Sequence, residues 1–191
     1  MNPFLILLVV ALTFGICYGL DKGYTRLFRG EAQHRTGLQV RVNKRYASFG
    51  LILCVLGILA IFTGMGGESV LLIGGIVVIL IGCGLIGYYM SYGIFYDGDS
   101  FITASFPKGS RTYRFGDIHH QKLYLIQGGS TVIELHMTDG TAVSIQSAMD
   151  GAYPFLDHAF NVWCQQTGRD PSHCDFHDPR NHLWFPGEED A

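Results

Sequence analysis

The chain has 191 residues, of which 48% are hydrophobic and only 15% charged, with a formal net charge of −3. An ordinary water-soluble globular domain carries about 25% charged residues, so this composition excludes a chain that lives wholly in water. The apolar excess sits in the first half.

Residues Met1 to Leu20, Tyr46 to Gly67 and Ser69 to Tyr96 carry no charged side chain. Each run reaches the ~20 residues that an α-helix needs to cross a ~30 Å hydrocarbon core. Three spans are therefore expected, at 1–20, 46–67 and 69–92. The first lacks a basic n-region, has a long apolar stretch from Phe4 to Leu20, and has bulky Ile16 directly before Cys17. A retained anchor is expected there rather than a cleaved signal.

Residues 21–45 form a basic loop. Lys22, Arg26, Arg29, Arg35, Arg41, Lys44 and Arg45 face only Asp21 and Glu31, a net of +5. The link Gly64-Met65-Gly66-Gly67-Glu68 has no Lys or Arg. By the positive-inside rule the basic loop is cytoplasmic, which puts the N-terminus outside, makes the second and third spans a hairpin, and leaves the C-terminal half in the cytoplasm of a multi-pass cell-membrane protein. The seven cations either set topology or hold the loop to anionic lipid. Nucleic acid is the weaker partner, because no aromatic residues interleave the charges for base stacking.

The spans contain no ionisable residue of the kind that marks ion pathways. Thr13, Ser48 and Thr63 can satisfy their hydroxyls on a carbonyl one turn back. Small residues at four-residue spacing, Gly50 with Cys54, Ala60 with Gly64 and Cys83 with Gly87, support close helix packing. That packing serves either the hairpin itself or a homo-oligomer through the membrane helices.

From Asp97 onward six basic residues face thirteen acidic ones, a net of −7. Short β-branched and aromatic runs predict strands near Gly93–Tyr96, Ser100–Phe106, Arg111–Phe115, Gln121–Gln127, Thr131–Thr138 and Thr141–Gln146. Turn residues separate them at Asp97-Gly98-Asp99, Lys108-Gly109-Ser110, Gly128-Gly129 and Asp139-Gly140, where positive φ angles are expected. Alternation points Ile133, Leu135, Met137, Val143 and Ile145 to a core. Asp150 to Gly168 then takes a helical period, with Tyr153, Leu156, Phe160, Trp163 and Thr167 on one face and Gly168 and Pro171 as stop signals. The expected fold is an α-helical anchor followed, over 93–168, by an α+β domain: an antiparallel meander or barrel closed by one C-terminal helix.

These strands, the step Tyr113-Arg114-Phe115-Gly116-Asp117-Ile118, the Asp-Gly hairpin and the closing helix resemble a bacterial pleckstrin-homology-like (PH-like) domain. The whole chain is similar to small membrane proteins of Gram-positive gut bacteria. The resemblance implies a fold and a location, and no catalytic residues. Some relatives by fold bind phosphoinositides through basic residues of their first hairpin loop, whereas the corresponding turn is here read as the acidic Asp97-Gly98-Asp99. Lys108, Arg111 and Arg114 form the remaining basic cluster, either a binding surface or a solvated edge.

No phosphate loop, Gly-x-Ser-x-Gly elbow or His-Glu-x-x-His motif is present. Six positions separate His158 from Cys164, too large a rotation for a nucleophile and its base. His119 and His120 read as ordinary edge histidines. In the tail, 169–191, His173, Cys174, His177 and His182 offer zinc-type ligands without the familiar paired spacing. Leu183, Trp184 and Phe185 offer a segment that docks on the domain instead. No cofactor and no disulfide are expected, the cytoplasmic thiols being reduced. Two functions stay open: a non-catalytic scaffold or binding module with an unnamed cytoplasmic or membrane protein partner, and a metal-dependent sensor or enzyme built on the tail.

Overall fold

The computed structural model describes residues 15, 18, 19, 22, 39–105, 109–126 and 129–188. The expected first span, 1–20, and most of the basic loop lie outside the described residues. The chain divides into two compact units, Met1–Gly30 with Asn43–Ser91 and Glu31–Val42 with Tyr92–Ala191, so the second is interrupted in sequence between Val42 and Tyr92 by part of the first.

The first unit is a helical hairpin of α1 (Lys44–Gly64) and α2 (Ser69–Met90). Both helices are long and apolar enough to cross a membrane. At 1.5 Å per residue their 21 and 22 residues span about 32 Å. Asn43 starts α1 by accepting a hydrogen bond from the Arg45 amide on its Oδ1 at 2.9 Å, the capping role of a short polar side chain. Ser48 and Thr63 bond back to the Lys44 and Leu59 carbonyls, as expected of hydroxyls in an apolar helix.

Glycine sets how closely the helices pack. A Cβ on Gly50 would lie 2.6 Å from the Gly82 carbonyl oxygen, one on Gly57 2.7 Å from that of Gly75, and one on Gly64 2.6 Å from the Leu72 amide. These glycines repeat every seven residues, because a nearly antiparallel pair returns the same face every two turns. The expected four-residue pair Gly50 and Cys54 lies on the same seam: a Cβ on Gly82 would fall 2.6 Å from the Gly50 carbonyl oxygen and 2.7 Å from Cys54 Sγ. Of the pair Cys83 and Gly87, Cys83 is exposed but brings its Sγ to 4.0 Å from Cys54 Sγ of the facing helix, whereas Gly87 is exposed with open space around it. Away from the seam the surface is apolar: Phe62, Val70 and Leu80 are 71%, 84% and 66% exposed.

The second unit is α+β. Strands β1 (Gln39–Arg41), β2 (Tyr92–Tyr96), β3 (Ser100–Ser105) and β4 (Gly109–Arg114) form one antiparallel sheet in that order. Strands β5 (Ile118–Leu125), β6 (Thr131–Met137) and β7 (Ala142–Gln146) form another. Helix α3 (Ala152–Thr167) follows. Positive φ angles occur at Gly109, Gly129 and Gly140, as the turn residues imply, but not at Gly98.

Strand β1 was not expected. It pairs with β2 from Gln39↔Phe95 to Arg41↔Gly93 and buries Val40 completely. The Asp97-Gly98-Asp99 turn therefore joins the second and third strands, so comparing it with a first hairpin loop is incorrect. The β1–β2 connection is the α1–α2 hairpin itself, entered through Val42-Asn43 and left through Ser91.

Ile133, Leu135 and Ile145 are fully buried, and Met137 and Val143 nearly so, as alternation predicts. Helix α3 buries Leu156, Phe160 and Trp163 together with Phe155, Ala159 and Val162. Tyr153 and Thr167, expected on that face, are exposed. The buried stripe is wider than one row and centred toward Phe155, whose ring packs edge-on against Tyr96 and Phe101. Gly151 must be glycine: its φ is +84° and a Cβ there would collide with the Gln39 carbonyl oxygen.

Candidate functional site

The tail is part of the core. Trp184 and Phe185 are fully buried, and the group that holds them is Gln121 of β5. Its Oε1 accepts the Trp184 and Phe185 amides at 3.0 Å each, and its Nε2 donates to the His182 carbonyl at 2.6 Å. The Gln121 amide donates to the Pro186 carbonyl at 2.9 Å. One side chain thus satisfies three backbone groups that would otherwise be buried without partners. Trp184 Nε1 completes the attachment by donating to Asp157 of α3 at 2.7 Å. His182 reaches this position with φ +61°, a left-handed conformation uncommon outside glycine.

The four tail residues considered as metal ligands have separate partners. His173 lies against the Asp170 carboxylate at 3.1 Å, Cys174 donates to the Asp170 carbonyl at 3.4 Å, His177 stacks on Phe160 with ring centroids 3.7 Å apart, and His182 meets the Tyr153 hydroxyl at 3.3 Å. Among the described residues no three His, Cys, Asp or Glu side chains come together as a metal site. Burial, then the neighbouring Cys174, pushes the Cys164 thiol up to about 11, so it stays protonated at neutral pH.

The basic residues do not form one cluster. Lys108 lies outside the described residues. Arg111 and Arg114, three positions apart on a strand of period two, leave opposite faces of β4. Arg111 lines a groove with Tyr92, Thr103, Thr141 and β7 residues Ala142 to Ser144. Arg114 lines a cleft of about 720 Å³ with Asp99, Asp117 and Gln166. Gln166 is already engaged, accepting the Gly116 amide at 2.6 Å and donating to the Asp99 carbonyl at 3.3 Å. Of the cations assigned to the membrane surface, Lys44 and Arg45 are exposed at the start of α1, and Lys22 is helical. Arg41 is 8% exposed and belongs to β1, where its backbone exchanges hydrogen bonds with Asp150 at 3.1 and 2.9 Å. Strand pairing takes it out of the loop. Arg26, Arg29 and Arg35 lie outside the described residues.

His119 and His120 lie on β5, an edge strand of its sheet, as expected; His119 is exposed and His120 is half-buried. The register slips between Ile118 and His120, and this irregularity brings His119 Nδ1 to 3.1 Å from His120 Nδ1. His120 stacks on its cross-strand partner His136, centroids 4.5 Å apart and planes 7° from parallel. His120 Nε2 and His136 Nε2 are both buried without a hydrogen bond. Glu134 Oε2 is 3.3 Å from His136 Nε2, but out of alignment for one. Desolvation first, then His136, His119 and Lys122, lowers the His120 pKa from 6.5, while Glu188 opposes the shift. Among the described residues this stack gathers no third His, Cys, Asp or Glu side chain that would make it a metal site.

Sequence reasoning missed β1 and Gln121. The first is three residues long inside a basic loop, and the second is a polar residue whose partners lie 61 to 64 residues away. No protein-family model matches this chain, and neither the curated proteins nor the solved structures supply a match.

Proposed function

We propose that this is an integral membrane protein whose hairpin anchors a PH-like, non-catalytic interaction module on the cytoplasmic side. The observation that carries the reading is the insertion of a 21- and a 22-residue apolar helix between two paired neighbouring strands, with connectors of two residues and one. Both ends of an antiparallel hairpin emerge on one side, so the module is tethered twice, at adjacent points of one sheet. Lys44 and Arg45 stand at one of those ends, the start of α1, while the only charged residue in the turn between the helices is Glu68, and by the positive-inside rule this asymmetry favours a cytoplasmic side for the module. Tyr46 and Tyr88, packed edge to face at 5.3 Å, supply the aromatic pair typical of a membrane interface.

A four-stranded and a three-stranded antiparallel sheet followed by a closing helix support the PH-like assignment. The dispersal of the tail ligands and the protonated Cys164 favour a binding role over a metal-dependent or thiol-dependent one. Any partner would be a cytoplasmic or membrane protein rather than a polyanion, because the net of −7 beyond Tyr96 repels inositol phosphates.

Two C-terminal fusions in a bacterial host test the orientation. A reporter active only outside the cytoplasm stays silent, and one that matures only inside becomes active. The reverse pattern overturns the assignment.

A further inference from the structure

The described surface of the second unit exposes five large hydrophobic residues, Leu123, Tyr124, Leu125, Ile126 and Tyr153, and four of them are consecutive. Leu123, Tyr124 and Leu125 end β5 and Ile126 follows it, and Leu125 is 86% exposed. Alternate residues of a strand share a face. Gln121 faces the core opposite Leu135, Leu123 follows opposite Ile133, and Leu125 follows opposite Thr131. The core-facing row of β5 thus runs on past the core into the open. No charged residue occurs from Leu123 to Ile133, within a half of the chain that is otherwise acidic.

This tip is tied to the place where the chain leaves for the hairpin. Thr131, the partner of Leu125, donates to Ser147 Oγ at 3.0 Å and accepts from the Ser147 amide at 2.8 Å. Three residues on, Asp150 exchanges hydrogen bonds with Arg41, the last residue of β1. With strands ~4.8 Å apart and at most ~3.5 Å per residue, the path puts Leu125 within roughly 25 Å of Arg41. Helix α1 begins three residues after Arg41.

We infer that the tip Leu123–Ile126 seats in the headgroup–acyl boundary of the bilayer that holds the hairpin, an inference that rests on the membrane reading above. Leu and Ile partition into that zone and Tyr is enriched there. Tethering through β1 and β2 removes most of the cost of bringing the tip to the surface. The acidic surroundings are repelled by an anionic leaflet, so the contact is apolar and insensitive to salt.

The test uses the full chain reconstituted in phosphatidylcholine vesicles with or without brominated acyl chains, and three single tryptophan additions. Leu125→Trp reports the tip, Phe62→Trp the exposed face of α1, and Gln165→Trp an exposed position on α3. The native Trp163 and Trp184 are buried and give a constant background. Brominated lipid is expected to quench the added emission of Leu125→Trp and Phe62→Trp at least about twofold and to spare Gln165→Trp, unchanged at high salt. If Phe62→Trp is quenched and Leu125→Trp is not, the tip inference fails alone. If neither is quenched, the membrane reading fails with it. A Leu125→Trp emission that is blue-shifted yet unquenched means that protein, a partner or a second copy, covers the tip, and it overturns the lipid assignment.

Discussion

The two units bury their interiors by opposite means. In the hairpin the helices meet where side chains are missing, at Gly50 with Gly82 and Gly57 with Gly75, and most of the large apolar residues, Leu51 and Tyr89 excepted, are not buried. In the β unit the large residues point inward, with Trp184, Phe101, Phe115, Phe155 and Phe185 among the most deeply buried side chains. Water drives the second arrangement, since burying an aromatic ring removes a large apolar surface from it. In hydrocarbon that drive vanishes, and close backbone approach is what remains to hold helices together. The same residue types thus imply opposite surfaces in two parts of one chain, and substitutions should act accordingly.

The largest effect is expected at the largest fully buried side chain, Trp184. Trp184→Ala removes a fully buried ring and the hydrogen bond to Asp157, at a cost of about 3–5 kcal/mol. Thermal melts of the detergent-solubilised protein should show the β unit largely unfolded. A near-normal melt would mean that the tail is an appendage.

In the hairpin the sign of size reverses. Gly57→Val forces a side chain against Ile79 and the Gly75 carbonyl and should cost about 1–3 kcal/mol by overpacking. Gly84→Val, with nothing within 4 Å, should change stability by no more than ~0.5 kcal/mol. Denaturation in mixed micelles distinguishes them, and equal losses would contradict the seven-residue seam.

Gln121→Ala leaves the Trp184 and Phe185 amides without their acceptor. About 1–3 kcal/mol is expected, read as a lower melting temperature with the fold retained. Sparing that melting temperature would mean that the tail backbone finds other partners.

The smallest expected effect is a pH dependence. His120 resists its proton in the folded unit, because it is desolvated and faces His136, His119 and Lys122, with Glu188 opposing. The unfolded chain then binds more protons near and below the ordinary histidine value of 6.5, so stability is present above that value and declines as the pH falls. Melts from about pH 7.5 to about pH 5.5 should show the decline, and His120→Asn should flatten it. A slope unchanged by the substitution assigns the effect elsewhere.

Much of this architecture is legible in the sequence, and the limits have physical causes. The hairpin can be read because a long uncharged run has few other uses. Strands β2 to β7 can be read because alternation and turn residues are local signals. Strand β1 cannot: Gln39-Val40-Arg41 is too short to show a period, and its partner lies more than fifty residues on, beyond two helices. The basic cluster failed for the converse reason, since proximity in sequence does not survive a strand that turns successive side chains to opposite faces. The four-residue pair Gly50 and Cys54 is visible in sequence and does lie on the seam, but the longer repeat through Gly57 and Gly64 requires knowing how the neighbouring helix runs.

The central claim is that the β unit is one folded body interrupted in sequence by the apolar α1–α2 hairpin. Replacing residues 43–91 with Asn-Gly would join Val42 to Tyr92 through a two-residue hairpin, which the β1–β2 register permits. The chain of residues 39–42, Asn-Gly and 92–191 is predicted to be soluble, to melt cooperatively, and to be more stable than residues 92–191 alone. If adding β1 brings no gain, or the joined chain aggregates while 92–191 folds, the interrupted-domain account is wrong.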